Sequence, residues 1–168
     1  MSTDTTTHAD DVKKLAKLIE KIDFAMLTTA TADGSLRSRP MSTQKSEFDG
    51  TLWFYTDIDS GKVYEIERDK HVNVAYADPQ NQRYISVSGR ASISRDKAKI
   101  KELWSPAIKA WYPDGPDDPR IALLRVDVEQ AEYWDNPSNK VVTLVGFVKA
   151  SLTGERFMPG DHGKVNLQ

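Results

Sequence analysis

The chain has no cysteine, which excludes disulfides, thiolate metal sites and a cysteine nucleophile. Long apolar runs are missing as well. One of the most apolar stretches, Val141 to Val148, is interrupted by Thr143 and Gly146 and is far shorter than the roughly 20 residues a membrane-spanning helix needs. Nor is there a block of one charge. Lys and Arg number 23 against 25 Asp and Glu, a formal −2, and the two signs alternate along the chain. Nucleic acids and anionic membranes need a dense basic face, so neither is expected as a partner. The three histidines, His8, His71 and His162, lack the paired spacing that gathers metal ligands, and no metal is expected. The opening MSTDTTTHADD lacks the basic-then-apolar order of a secretory signal. The expectation is a cytoplasmic protein whose residues 1–9 are disordered.

A length of 168 residues suits one domain with a core of its own. That domain is expected to span 10–168, ending in an irregular tail from about Gly154. Asp10 or Asp11 caps a first helix in which Val12, Leu15, Leu18, Ile19 and Ile22 recur at helical steps. Phe24 to Thr29 reads as a strand, and Ala32-Asp33-Gly34 as a tight turn. The next strand, Ser35 to Lys45, alternates: Arg37, Arg39, Met41 and Thr43 share one side, while Leu36, Ser38, Pro40, Ser42 and Gln44 share the other. Pro40 removes a ladder donor and marks a bulge or an edge. Phe48-Asp49-Gly50 is expected to turn this strand directly into Thr51 to Thr56, rich in aromatic and β-branched residues.

Ser60 is a good N-cap for a short helix from Gly61 to Arg68. His71 to Ala77 and Arg83 to Ile93 follow as strands, then a helix from Lys97 to Trp111. Ile121 to Tyr133 and Val141 to Leu152 complete the set as strands. About seven strands and three helices point to an antiparallel sheet or barrel with peripheral helices.

Two motif fragments carry no function. Ser60-Gly61-Lys62 lacks the first Gly of a nucleotide-binding P-loop and has Val63 where Ser or Thr must hold magnesium. Asp57-x-Asp59-x-Gly61 puts Lys62 at the invariant Gly of a calcium loop and Arg68 at its bidentate Glu. A different grouping is more informative. If the strands on either side of Phe48-Asp49-Gly50 pair, Arg39 faces Thr56, Ser60 and Lys62 across one pocket. A guanidinium fork, two hydroxyls, an ammonium and a helix N-terminus together suit a phosphate.

RPMSTQ at residues 39–44, LWFYTDIDSGK at 52–62 and ISVSGRASI at 85–93, in that order and spacing, resemble the motifs of the pyridoxamine 5′-phosphate oxidase superfamily. YWDNP at 133–137 and the ending from Lys149 to Leu167 resemble its general stress protein branch. The resemblance implies a mainly antiparallel split β-barrel with flanking helices, a homodimer, and FMN bound at the subunit interface. It places Arg39, Ser60, Lys62 and Thr56 on the phosphate, and Pro40, Met41, Ser42 and Tyr55 along the ribityl chain and ring. Gln44 falls at the position of an oxidase Lys, Tyr84 at that of a Gln, and Trp134 on the ring from the partner subunit.

There are departures too. Gly61 stands where an oxidase carries Arg beside the phosphate, which leaves one cation fewer and room for FAD. The Arg-x-His-x-Arg signature that orients pyridoxamine phosphate is absent. The expected function is therefore a flavin-dependent oxidoreductase of unknown substrate, or a protein that stores or senses flavin without turnover. No residue stands out as an essential acid or base.

Overall fold

The computed structural model describes residues 3–136, 140–154, 156 and 160–167. Helix α1 (Thr3–Ile19) starts ahead of the Asp10/Asp11 cap read from the sequence. Its Leu15, Leu18 and Ile19, with Ile22 just beyond, are buried in the main core, as their helical spacing requires. Strands β1 (Phe24–Ala30) and β2 (Leu36–Ser42) form an antiparallel hairpin. Gly34 closes its turn with a φ of 84°, a conformation that favours glycine.

Then come β3 (Thr51–Asp57), α2 (Gly61–Arg68), β4 (His71–Asp78) and β5 (Arg83–Ser94). The expected helix from Lys97 to Trp111 is two short ones, α3 (Lys97–Glu102) and α4 (Pro106–Lys109). Pro106 is the reason, since it opens a helix well but cannot continue one. The long β6 (Ile121–Asp135), α5 (Lys140–Thr153) and β7 (Asp161–Asn166) complete the described elements.

The strand order is β2-β1-β4-β5-β6-β3, with β7 added to β6, and every pairing is antiparallel. Strand β6 is the hub. It pairs along one edge with β5, and along the other with β3 over 121–127 and with β7 over 130–135. The register shifts between Ser88 and Gly89, where a Cβ on Gly89 would collide with the Asp127 carbonyl. Glycine therefore permits the close approach of β5 to β6 at that bulge.

Alternation along the strands separates two faces. Leu27, Phe54, Val74, Ile85, Val87 and Val126 fill the barrel interior. A second cluster, Ile100, Leu103, Ile108, Tyr112, Ile121 and Leu123, packs behind it with Trp53, Tyr55 and Trp104.

Three further expectations are corrected. The β2–β3 hairpin does not form: the two strands stand at opposite ends of the strand order, joined by a backbone bond from Gln44 N–H to the Trp53 carbonyl (3.3 Å). The connection, 43–50, is longer than a usual hairpin loop, and β6 takes the β3 ladder over seven residue pairs. The sheet is thus a barrel left open between β2 and β3, and Pro40 lies on an end strand as anticipated. The run from Val141 to Leu152 is helix and not strand. It is apolar without two-residue alternation, a pattern that does not separate strand from buried helix. The tail after Gly154 is not wholly irregular, because Asp161–Asn166 is β7, where Val165 alone is buried. A strand with one inward residue leaves little hydrophobic signal.

Candidate functional site

The site forms where the barrel is open and α2 begins. Ser60 has the extended backbone of an N-cap, φ −74° and ψ 149°, but its side chain does not cap the helix. Its Oγ instead lies 3.1 Å from Oγ1 of Thr56, and Thr56 also accepts a bond from Lys62 Nζ at 3.0 Å. Thr56 is buried on the inward side of β3, which brings the hydroxyls to the mouth of the helix. The first N–H groups of a helix have no acceptor within it, and here no side chain caps them. A Cβ on Gly61 would meet nothing within 4 Å, so open space lies beside the positive end of the helix dipole. That combination suits an anion.

Arg39 reaches it from β2. Its Nη2 donates to Glu65 Oε2 at 2.7 Å and its Nη1 to Thr29 Oγ1 at 2.6 Å. Thr29 in turn donates to the same carboxylate oxygen at 2.5 Å. The triangle ties β1, β2 and α2 together and fixes the guanidinium. Arg39 and Glu65 are only 17% and 13% exposed, while Arg37, 3.8 Å from the other Glu65 oxygen, is 67% exposed.

Electrostatics agree with the geometry. The Lys62 ammonium is held below the ordinary lysine value, first by burial and then by the charge of Arg39, with Asp57 and Glu65 opposing. Burial works against the Glu65 charge, but the bonds from Thr29 and Arg39 and the charges of Arg39 and Arg37 together hold its carboxyl below the usual value. Lys62 has no ion-pair partner among the described residues. Two cations thus lie in each other's field in a half-buried pocket, an arrangement that an anion stabilises.

Of the residues read from the sequence, the structure gathers Arg39, Thr56, Ser60, Gly61 and Lys62. Met41 is buried on the same side of β2 as Arg39, while Pro40 and Ser42 are exposed on the other. Gln44 donates through Nε2 to the Ser42 carbonyl at 3.0 Å. It stands at the far end of the opening, on the wall of a cleft of about 1040 Å³ between α1 and residues 43–53. Tyr55 points away from Thr56, since neighbours on a strand face opposite ways. Its hydroxyl donates to the Ile100 carbonyl at 2.6 Å, and burial pushes its pKa up to about 12.

Tyr84 and Trp134 are a cross-strand pair on the outer face. Trp134 stacks on His162, with centroids 5.2 Å apart and planes at 12°, and the His162 ring lies 2.8 Å from Glu132. From Ser42 to Tyr84 the path crosses β1 and β4, roughly 14 Å at ordinary strand spacing, so one chain does not bring these residues together. Pro137 lies outside the described residues. Sequence reasoning missed Thr29, Glu65 and His162. Glu65 was within reach, because Gly61 and Glu65 are one helical turn apart on the same face.

Similar proteins share this framework. A family model described as pyridoxamine 5′-phosphate oxidase like matches residues 10–158. Protein bli-3 of Neurospora crassa is 31% identical over 163 residues, covering 90% of this chain and 78% of its own. A candidate general stress protein 26 of Jannaschia sp. CCS1 shares the fold, with TM-score 0.75 over 94% of this chain and 99% of that one at 24% identity. The general stress FMN/FAD binding protein of Xanthomonas citri gives TM-score 0.66 over 76% of this chain and 89% of that one, at 29% identity.

Proposed function

This chain belongs to the pyridoxamine 5′-phosphate oxidase-like family, and from that premise we propose that it is a flavin-binding general stress protein acting as a homodimer. The observation that carries the reading is the pairing of Arg39 and Lys62 at the uncapped start of α2. The residues fit the phosphate of FMN. Lys62 and Arg39 supply charge, Thr56 and Ser60 supply hydroxyls, and Gly61 leaves its side of the helix start open. Pro40, Ser42 and Gln44 then line the ribityl and ring side along the exposed face of β2, with Met41 packed beneath them in the core. The Xanthomonas citri protein is described as binding FMN or FAD, which supports a flavin here. Tyr84 and Trp134 approach the ring from the second copy, since one chain holds them too far from β2.

When bound, the flavin supplies the electron-transfer chemistry and the protein supplies binding and orientation. Lys62 and the α2 N-terminus anchor the anion, and Glu65 and Thr29 hold the Arg39 guanidinium in place. The half-buried setting strengthens these interactions by excluding water. An oxidoreductase of unknown substrate is the first reading. Storage or sensing of flavin without turnover is the second, and one observation favours it: Glu65, one of the two carboxylates whose charge acts on Lys62, is already bonded to Arg39 and Thr29.

A visible spectrum of the purified protein, followed by identification of the extracted cofactor, tests the flavin. Protein that stays colourless after incubation with FMN and desalting would overturn the proposal. Stopped-flow reduction by NADH or NADPH separates the enzyme, which is reduced at a rate useful for turnover, from the store, which is not.

A further inference from the structure

We propose that Tyr64 forms a subsite for the adenine of FAD, so that the start of α2 receives the diphosphate of a dinucleotide as well as the phosphate of FMN. The inference rests on the flavin reading above and deepens it. FAD prolongs the FMN phosphate by a second phosphate, a ribose and an adenine. Those groups need an open path away from the anion anchor and a flat apolar surface at its end. Successive residues of a helix are turned by about 100°. Lys62 is thus turned about 100° from Gly61 in one sense, while Tyr64, three residues on, is turned about 60° in the other. Glu65 falls on the Lys62 side by the same count. Gly61 separates Lys62 from Tyr64, and a Cβ there would meet nothing within 4 Å. The path from the first phosphate toward Tyr64 therefore crosses a position that puts no side chain in the way.

Tyr64 is suited to end that path. Val63 and Ile66 form the buried face of α2, whereas Tyr64 is 61% exposed. Its side chain makes no hydrogen bond or ring contact among the described residues. Helical side chains lean toward the N-terminus of their helix, which directs the Tyr64 ring toward the turn that Gly61 leaves open. A base stacks on an exposed aromatic ring through its π-face and needs no charge partner. The adenine thus makes no demand on the charges of Arg39, Asp57 and Glu65 that act on Lys62.

The experiment titrates FMN, FAD and riboflavin by isothermal calorimetry into the wild type, Tyr64→Ala, Tyr64→Phe and Gly61→Leu. Tyr64→Ala should weaken FAD by roughly fivefold to fiftyfold, the range of one base–aromatic stack, and leave FMN and riboflavin unchanged. Tyr64→Phe keeps the ring and should keep the affinity for all three. Gly61→Leu fills the open space and should weaken FAD more than FMN. Unchanged FAD affinity in Tyr64→Ala, or an equal loss of FAD and FMN in Tyr64→Ala or Gly61→Leu, would overturn the inference. So would a loss of FAD in Tyr64→Phe as large as in Tyr64→Ala, or a wild type that binds FMN and not FAD. If Tyr64→Ala does not fold, Gly61→Leu decides alone. If the wild type binds no flavin, the functional proposal fails instead. The subsite is then read from ADP against pyrophosphate: ADP must bind the wild type more tightly and lose that advantage in Tyr64→Ala, and equal binding of the two refutes the subsite.

Discussion

On the inner side of the open edge, two hydrogen-bonded groups form within a single chain, Arg39–Thr29–Glu65 and Thr56–Ser60–Lys62. On the outer side of the same sheet, Tyr84 and Trp134 are 43% and 39% exposed, and Phe24 and Met26 are 64% and 43% exposed. The first region is organised before any ligand arrives. Its side chains are already held by one another, so under the proposed function little ordering entropy is lost on binding. The second is an apolar and aromatic surface that one chain covers only in part, Trp134 by His162, and in the proposed homodimer it gains most from a second copy of the same surface. Under the proposed function, recognition of the phosphate and of the ring rests on different physics and responds to different perturbations.

The largest effect is expected on the outer face. Phe24→Asp places a charge where a dimer would bury it unpaired, at a cost of several kcal/mol. Light scattering at micromolar protein should show the wild type near twice 18.9 kDa and this variant as a folded monomer. A monomeric wild type would remove the dimer and the shared ring site together.

The next effect belongs to the inner region. Removing a charge-assisted bond costs roughly 1.5 to 3 kcal/mol, so Lys62→Ala should weaken FMN by about tenfold to a hundredfold. Riboflavin, which has no phosphate, should lose far less. If both flavins lose equally, Lys62 serves packing and the contrast between the regions collapses.

Trp134→Leu sharpens the same contrast from the other side. Losing an aromatic contact worth about 0.5 to 1.5 kcal/mol should weaken FMN and riboflavin alike, by about threefold to tenfold, with the dimer intact. Flavin should also quench less tryptophan fluorescence in the variant. Unchanged affinity for both flavins would leave the ring to β2 alone.

The smallest effect is on stability against acid. The Glu65 carboxyl is held below the ordinary value of 4.5, so its stabilising contribution is complete above that value and is lost as pH falls through the lower, folded-state value. Glu65→Gln should therefore lose less stability than the wild type between pH 5 and 3 in urea titrations. Identical acid profiles would show that the triangle adds nothing to folding.

Much of the molecule was legible from sequence because its signals are local. Alternation placed β2, aromatic and β-branched content placed β3, helical spacing placed α1, and Gly61 to Arg68 matches α2 at both ends. The order of RPMSTQ, the FYT-to-SGK segment and ISVSGR carried the family resemblance. It also named Arg39, Thr56, Ser60 and Lys62, which the structure gathers. What sequence did not decide is everything that depends on partners distant along the chain. Val141 to Leu152 is mostly apolar and lacks two-residue alternation, so periodicity could not tell helix from strand. Strand β7 is recognisable only through its pairing with β6, and β3 joins β6 and not β2 because long-range pairing outcompetes a loop too long for a hairpin. The Thr29–Arg39–Glu65 triangle unites residues from three elements, and Tyr55 turns from the site because its neighbour Thr56 faces in. Local residues determine which elements form, whereas the charge and contents of the pocket follow from which elements meet, and only the tertiary structure decides that.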